Sequence, residues 1–249
     1  MIKRMLVGGC LAGFAAGLFA ALLHFAFIQN LIVLGEHYES GALVHFEGQA
    51  ATDQSGAEAG KPDHDHAATE NGHAHAPATD ADGGPSFRRD LLTVLFTCLI
   101  YAAYGMLIVA GFGLAEQFGR PVDAQSGLLW GLAGFATFQL APAMGLAPEL
   151  PGSVAADLSV RQIWWLGTVL ATGTGLAVLG YGRTLFTAVL GMALLAAPHV
   201  IGAPKLDAFF GVAPPELSAA FSANVLGVGF AAWAVLGWLA GRIWASSAE

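Results

Sequence analysis

Charge is scarce in this 249-residue sequence, since Asp, Glu, Lys and Arg together make up 11% of it and hydrophobic residues 55%. The mean hydropathy of +0.61 is too high for a water-soluble domain, so we predict an integral membrane protein. The ten Lys and Arg residues form no basic stripe, which argues against a nucleic-acid partner. Only two cysteines are present, Cys10 and Cys98, and both lie in apolar runs. This excludes a disulfide framework and a zinc site built on cysteine.

Familiar catalytic motifs are missing as well. The sequence contains no His-Glu-x-x-His, no nucleotide-binding glycine-rich loop with lysine and no Gly-x-Ser-x-Gly elbow. Neither an ATPase nor a common hydrolase is therefore indicated, and we expect a protein that is not an enzyme. Any transport would take its energy from an ion gradient, from the membrane potential or from a partner.

Six apolar stretches approach or exceed the length of about 20 residues that a helix needs to cross a membrane. We predict an all-α, polytopic bundle with spans at residues 5–28, 91–115, 127–146, 163–180, 185–201 and 218–244. The short fifth stretch could instead be re-entrant, which leaves five spans as the alternative. The predicted organisation is a first transmembrane helix at 1–28, a loop at 29–87 and the rest of the bundle at 88–249.

The orientation follows from Lys3 and Arg4, which precede the first apolar run and should stay in the cytoplasm. A secretory signal begins in the same way, but no clear small-residue cleavage site follows, so we expect a retained helix. Six spans then place both termini in the cytoplasm and the 29–87 loop outside, in a multi-pass protein of the cytoplasmic membrane. The acidic residues concentrate on the predicted outer face, where they would attract cations.

The 29–87 loop holds ten of the 18 acidic residues and six of the eight histidines. Its centre carries two His-x-His pairs among carboxylates, formed by His64, His66, His73 and His75. Imidazole suits cobalt, nickel, zinc and copper. Because residues 49–85 contain almost no large apolar side chains, they cannot bury a core and should be disordered. We predict a metal-collecting tract; the alternative is a solvated spacer with incidental histidines.

Polar residues also occur at one depth, near the outer ends of the predicted spans. Polar groups inside a membrane are functional candidates by default, and carboxylates and histidines lie just beyond them. The outer-face candidates for a metal path are His24, Gln139, His199, Asn224, Glu36, His37 and Glu149. For each histidine the alternative is a buried ring with an ordinary hydrogen bond, and for Gln139 and Asn224 it is an interhelical hydrogen bond.

Two features predict the packing of the helices. Gly9, Gly13 and Gly17 recur every four residues, and Gly237 with Gly241 repeats the spacing, so these faces should make close contacts within the chain or with a partner. Pro142 breaks the third span and leaves the carbonyl of Phe138 without its usual donor.

Two stretches resemble the signatures of the CbtA family, a predicted cobalt transporter subunit. They are residues 138–165, FQLAPAMGLAPELPGSVAADLSVRQIWW, and residues 198–221, PHVIGAPKLDAFFGVAPPELSAAF. The opening helix with His24 and the His-rich segment fit too, so the resemblance covers nearly the whole chain. It departs before the second span, where DADGGPSFRRD replaces a tryptophan-containing approach.

The resemblance implies a membrane protein of five or six helices that works with a small single-helix subunit, CbtB, in cobalt supply for cobalamin synthesis. The matching stretches hold Gln139, Glu149 and His199, together with Asp157 and Arg161, whose spacing of four suggests an ion pair.

We interpret the chain as the membrane subunit of an uptake transporter for cobalt or another divalent transition metal. The His-rich loop would collect the ion, and the outer histidines and carboxylates would feed the path. Cobalt comes from the resemblance, because the residues alone do not separate it from nickel or zinc. The other classes left open are an integral membrane metalloenzyme and a metal sensor or chaperone partner in which the loop does all the work.

Overall fold

The computed structural model describes residues 2–45, 86–207 and 211–246, and within these ranges the chain forms helices and no β-strand. The predicted all-α class is therefore confirmed for the described residues. In chain order the helices are α1 (Ile2–Phe27), α2 (Gln29–Glu39), α3 (Phe87–Gln117), α4 (Ala124–Phe135), the π-helical turn π1 (Ala136–Leu140), α5 (Ala141–Ala143), α6 (Leu158–Tyr181), α7 (Leu185–Ile201) and α8 (Pro215–Ser246).

Four of these helices, α1, α3, α6 and α8, are long and apolar enough to cross a membrane. Helix α7 is apolar but has only 17 residues. The third predicted span is occupied by α4, π1 and α5, which follow one another without a break. Length and composition thus support four of the six predicted spans, and the count of six stays a prediction.

Pro142, two residues after π1, explains why the α-helix is interrupted there. Pro142 has no backbone N–H, so it cannot donate to the carbonyl of Phe138 as an α-helix requires. The chain instead widens before the proline, where the N–H of Ala141 donates to the carbonyl of Ala136, five residues earlier. Such single π-turns interrupt α-helices at points of this kind and are frequent at functional sites.

A seam of glycines joins α1 to α3. A Cβ atom added to Gly17 would lie 2.6 Å from the Cα atom of Cys98, and one added to Gly9 would lie 3.0 Å from that of Met106. At Gly13 the added atom would collide with the backbone of Ala102. Only glycine allows the two backbones to approach this closely.

A second glycine seam joins α4 to α8. A Cβ atom on Gly237 would lie 2.6 Å from the Cα atom of Gly131, and one on Gly241 would lie 2.8 Å from that of Gly127. Both glycine faces predicted from the sequence therefore make close contacts within the chain.

Helices α1, α3, α4 and α8 form the main bundle, whose core contains the fully buried side chains of Phe112, Trp233 and Trp244. Helices α6 and α7 form a hairpin beside it. Among the described elements, α7 packs against α6 and no other helix, while α6 reaches the bundle through α4, π1 and α5.

One end of the bundle, here called the outer end, carries α2 and the loop 144–157; the opposite, inner end carries Arg120 and Tyr181. Helix α2 lies in the segment that the sequence analysis treated as loop. It is held by a small apolar cluster that includes Ile28, Leu150 and Phe221. The predicted disorder of residues 49–85 lies outside the described residues.

Candidate metal path at the outer end

Gln139 lies inside the bundle, on π1. It lines a small pocket of about 180 Å³ together with Pro142, Trp165 and Leu226. Its side-chain oxygen, Oε1, is buried and has no hydrogen-bond donor. The amide fits there because α8 has a glycine opposite: a Cβ atom on Gly229 would collide with Oε1. The fold therefore holds a polar group without a protein partner at the wall of a pocket.

Asn224 lies on α8 near this pocket, but its side chain forms a hydrogen bond within its own helix. Its Nδ2 donates to the carbonyl of Ala220 at 2.8 Å. The hydrogen bond between elements in this region comes instead from Ser222, whose hydroxyl donates to the carbonyl of Pro148 in the loop 144–157 at 2.7 Å. The pocket is thus closed on one side by a fixed contact between α8 and the loop 144–157.

His24 lies near the junction of α1 and α2 and is half-buried. Its Nε2 lies 3.1 Å from Oε1 of Gln29. An amide oxygen accepts, so in a neutral ring that donates from Nε2 the other nitrogen, Nδ1, has a lone pair. A neutral imidazole with one free lone pair is the form that binds a metal.

His199 belongs to the hairpin and not to the main bundle. Its ring lies edge-on to Trp164 of α6, with 6.4 Å between the ring centroids. The indole Nε1 of Trp164 donates to the carbonyl of Pro198 at 3.3 Å, which fixes the end of α7 against α6. His199 therefore lies on the α6 side of the molecule, outside the main bundle.

Two of the predicted carboxylate ligands are paired with arginines. Glu36 on α2 lies 3.5 Å from Arg89, and Glu149 lies 2.7 Å from Arg161. Both pairs are partly exposed, so each contributes little to stability. His37, also on α2, is exposed.

Arg161 does not use Asp157, the partner that the sequence spacing suggested. Asp157 caps the first turn of α6, where it accepts hydrogen bonds from Ser159 and Val160. These bonds, the one from the Ser159 hydroxyl above all, hold the pKa of Asp157 below its ordinary value of 3.8. Asp157 is therefore a capping residue, and Glu149 takes the ion pair.

In the part of the chain that the structure describes, no three His, Cys, Asp or Glu side chains lie together so that they could hold a metal ion. His24, Glu36, Glu149 and Asn224 each contact a protein partner of their own. The remaining predicted ligands, His64, His66, His73 and His75, lie outside the described residues. Among the described residues, the outer end thus offers single donors and not a cluster of ligands.

The comparison with known families decides what kind of protein this is. The model of CbtA, described as a probable cobalt transporter subunit, matches residues 2–245. The chain belongs to the CbtA family. The resemblance found in the sequence is thereby confirmed, and with it the assignment to a membrane protein of metal-ion transport. CbtA proteins are transporter subunits, which implies a partner and a role other than catalysis. No curated protein and no solved structure matches this CbtA chain.

Sequence reasoning found Gln139, but it missed the residues that position the candidates. Arg89 was noted only as part of a family-like segment, and Gly229 was not singled out. Neither carries a local signal, because Arg89 meets Glu36 across 53 residues and Gly229 matters only through the helix opposite. Such partners become visible only when the helices are packed.

Proposed function

We propose that this chain is the membrane subunit of a cobalt uptake transporter in the cytoplasmic membrane, with both termini in the cytoplasm. The His-rich tract collects the divalent ion outside, and the outer histidines and carboxylates pass it to the pocket at Gln139. The family match supports cobalt transport, and the amide of Gln139 carries the proposal for the path.

The observation that supports this path is the buried oxygen of Gln139, which has no hydrogen-bond donor. An unsatisfied buried acceptor costs about 1–3 kcal/mol, so a protein keeps one where water or a ligand completes it. A cation that reached this position would gain an oxygen ligand from Oε1. A neutral amide also holds a divalent ion more weakly than a carboxylate, and weak binding lets the ion leave again.

The ion would reach the pocket over residues that bind it one at a time. His37 and Glu36 on α2 stand at the outer end, and His24 follows where α2 joins α1. Glu149 stands on the loop that closes the pocket, and His199 approaches from the hairpin. Each supplies a nitrogen or oxygen donor of the kind that cobalt, nickel and zinc accept.

We propose a small single-helix subunit of the CbtB type as the partner. This rests on the family, whose description as a subunit implies a second chain. The partner would either complete the path or couple it to the membrane potential, which is worth about 2.3 kcal/mol per charge per 100 mV.

The test is uptake of radioactive cobalt in cells that lack their own importers, with and without the small subunit. We expect uptake to depend on the partner and to fall at least tenfold in Gln139→Leu, with smaller losses in His24→Ala and His199→Ala. Gln125→Leu, an exposed position on α4, is the matched control and should transport like the wild type. Equal accumulation with and without the chain would contradict cobalt import.

Two further outcomes separate the remaining alternatives. Uptake of nickel or zinc in place of cobalt would reassign the substrate, and tightly retained metal without any uptake would favour a membrane metalloenzyme. Deletion of residues 49–85 should reduce uptake only at low cobalt if the tract is a collector. Complete loss at every concentration would instead indicate a sensor.

A further inference from the structure

A second and larger cavity opens at the inner half of the molecule. It has a volume of about 740 Å³ and lies between α6 on one side and α3 and α4 on the other. It exists because α6 reaches the bundle at π1, α5 and α4 but makes no backbone contact with α3. The inner half of α6 therefore leaves a space that the chain does not fill.

The lining of this cavity changes in character along its length. Apolar side chains such as Leu107, Ile108, Val169 and Leu170 form its body. Polar side chains line the body too, at Tyr104, Thr137 and Thr174, but the positive charge lies at the inner mouth, where Arg120 stands beside Ser126 and Tyr181. The cavity is thus mostly apolar, with the positively charged side chain of Arg120 at its inner mouth.

Arg120 is held in place but keeps its charge available. Its guanidinium carbon lies 5.8 Å from the centre of the Tyr181 ring, a cation–π contact across the mouth. It pairs with no carboxylate among the residues that the structure describes. Glu116, one turn earlier, accepts a hydrogen bond from the indole Nε1 of Trp244.

We propose that this cavity binds a phospholipid of the leaflet at the inner end, with one acyl chain between α6 and the bundle and the phosphate on Arg120. The apolar body matches the acyl chain. The guanidinium matches a phosphate, which it binds through two parallel hydrogen bonds, and basic pockets between transmembrane helices are typical sites for lipid head groups. The inference does not depend on cobalt transport.

The size of the cavity suits a lipid chain. Its volume of about 740 Å³ lies within the range of roughly 300–1,000 Å³ that is usual for small-molecule sites.

Two glycines of α6 supply a matched pair of variants. A Cβ atom has open space at both Gly180 and Gly167, but only Gly180 lines the cavity. Gly180→Leu therefore fills the mouth without a clash, and Gly167→Leu adds the same side chain elsewhere on the helix. Ala177→Leu, inside the cavity, is a second filling variant if the first fails to fold.

The experiment is native mass spectrometry of the full-length protein in detergent after incubation with phosphatidylglycerol or with diacylglycerol, which lacks the phosphate. We expect the wild type and Gly167→Leu to retain one phosphatidylglycerol per chain and Gly180→Leu to retain at most a tenth as much. Arg120→Gln should lose the preference for phosphatidylglycerol over diacylglycerol.

Three results would overturn the proposal. The first is equal retention of phosphatidylglycerol by the wild type and by both filling variants. The second is equal retention of the two lipids by the wild type. The third is a cross-link from the cavity lining to a second protein chain in place of lipid.

Discussion

The position of the Gln139 side chain depends on Gly229, a glycine on α8 that leaves room for the amide. The sequence marks Gln139 as a polar residue in an apolar span, which is enough to single it out. It does not reveal Gly229, because α8 contains several glycines and only one of them faces the amide. A polar residue can be recognised from its own identity, whereas the space for its side chain depends on how two helices pack.

We expect Gly229→Ala to displace the Gln139 amide and to destabilise the protein by about 1–3 kcal/mol, the usual cost of overpacking. Gly227→Ala is the matched control, because a Cβ atom there meets nothing within 4 Å. Thermal unfolding in detergent measures the difference. Equal melting temperatures for the two variants would show that Gln139 does not occupy the space at Gly229.

Asp157 gives a dependence on pH that can be assigned to one residue. Its pKa is below its ordinary value of 3.8 because Ser159 and Val160 donate hydrogen bonds to the carboxylate. A lowered pKa in the folded state means that the cap stabilises α6 above pH 3.8 and that this stabilisation is lost as the pH falls through the folded value.

The difference in melting temperature between the wild type and Asp157→Ala should therefore be largest near neutral pH and shrink below pH 3.8. Thermal unfolding followed by circular dichroism at a series of pH values checks this. A difference that stays constant down to pH 2 would mean that the charged carboxylate is not the capping group.

At the scale of helices, hydropathy predicted most of what is observed. The predicted fifth span, residues 185–201, coincides with α7, and the other spans end within a few residues of the observed helices. Helix α2 was missed because its sequence, QNLIVLGEHYE, is too short and polar to resemble a span. It is stabilised by packing on Leu150, which sequence periodicity does not show.

The glycine seams are a second element-scale feature that the sequence predicts well. A four-residue glycine repeat indicates a close contact, but it does not name the helix opposite. The structure pairs α1 with α3 and α4 with α8.

Gly13→Ala should therefore separate α1 from α3 and destabilise the protein by about 1–3 kcal/mol, since the backbone of Ala102 cannot move aside as a side chain can. Gly8→Ala is its control, because the added Cβ atom would make an ordinary contact of 3.5 Å with Ile243. Unfolding midpoints in a denaturant series compare the two. A loss as large in Gly8→Ala would indicate that any added methyl on α1 is harmful.

At the scale of the molecule, the described residues form a bundle of α1, α3, α4 and α8, and α6 joins the hairpin to it through α4, π1 and α5. The predicted spans 163–180 and 185–201 are separated by four residues, but hydropathy did not indicate that α7 would pack on α6 alone among the described helices. That arrangement depends on which faces are left uncovered, and hydropathy cannot show it when every face of a span is apolar.

Gly191→Leu should open the hairpin and leave the bundle intact. A Cβ atom at Gly191 would already lie 2.6 Å from Cγ of Leu179 on α6. Hydrogen exchange read by mass spectrometry should show faster exchange in α6 and α7 and unchanged exchange in α1, α3, α4 and α8. Gly167→Leu is the control and should leave hydrogen exchange unchanged in all six helices. Faster exchange in every helix of the Gly191→Leu variant would show that the hairpin and the bundle unfold together.

The hairpin of α6 and α7 also affects the order in which the helices can pack during synthesis. Only three residues, 182–184, separate α6 from α7, and α7 packs against no other described helix. During synthesis α7 can therefore find its contacts as soon as it leaves the ribosome, without waiting for α8. A nascent chain that stops after α7 should already hold the finished hairpin, whereas α4 must wait for α8 before its glycine seam can close.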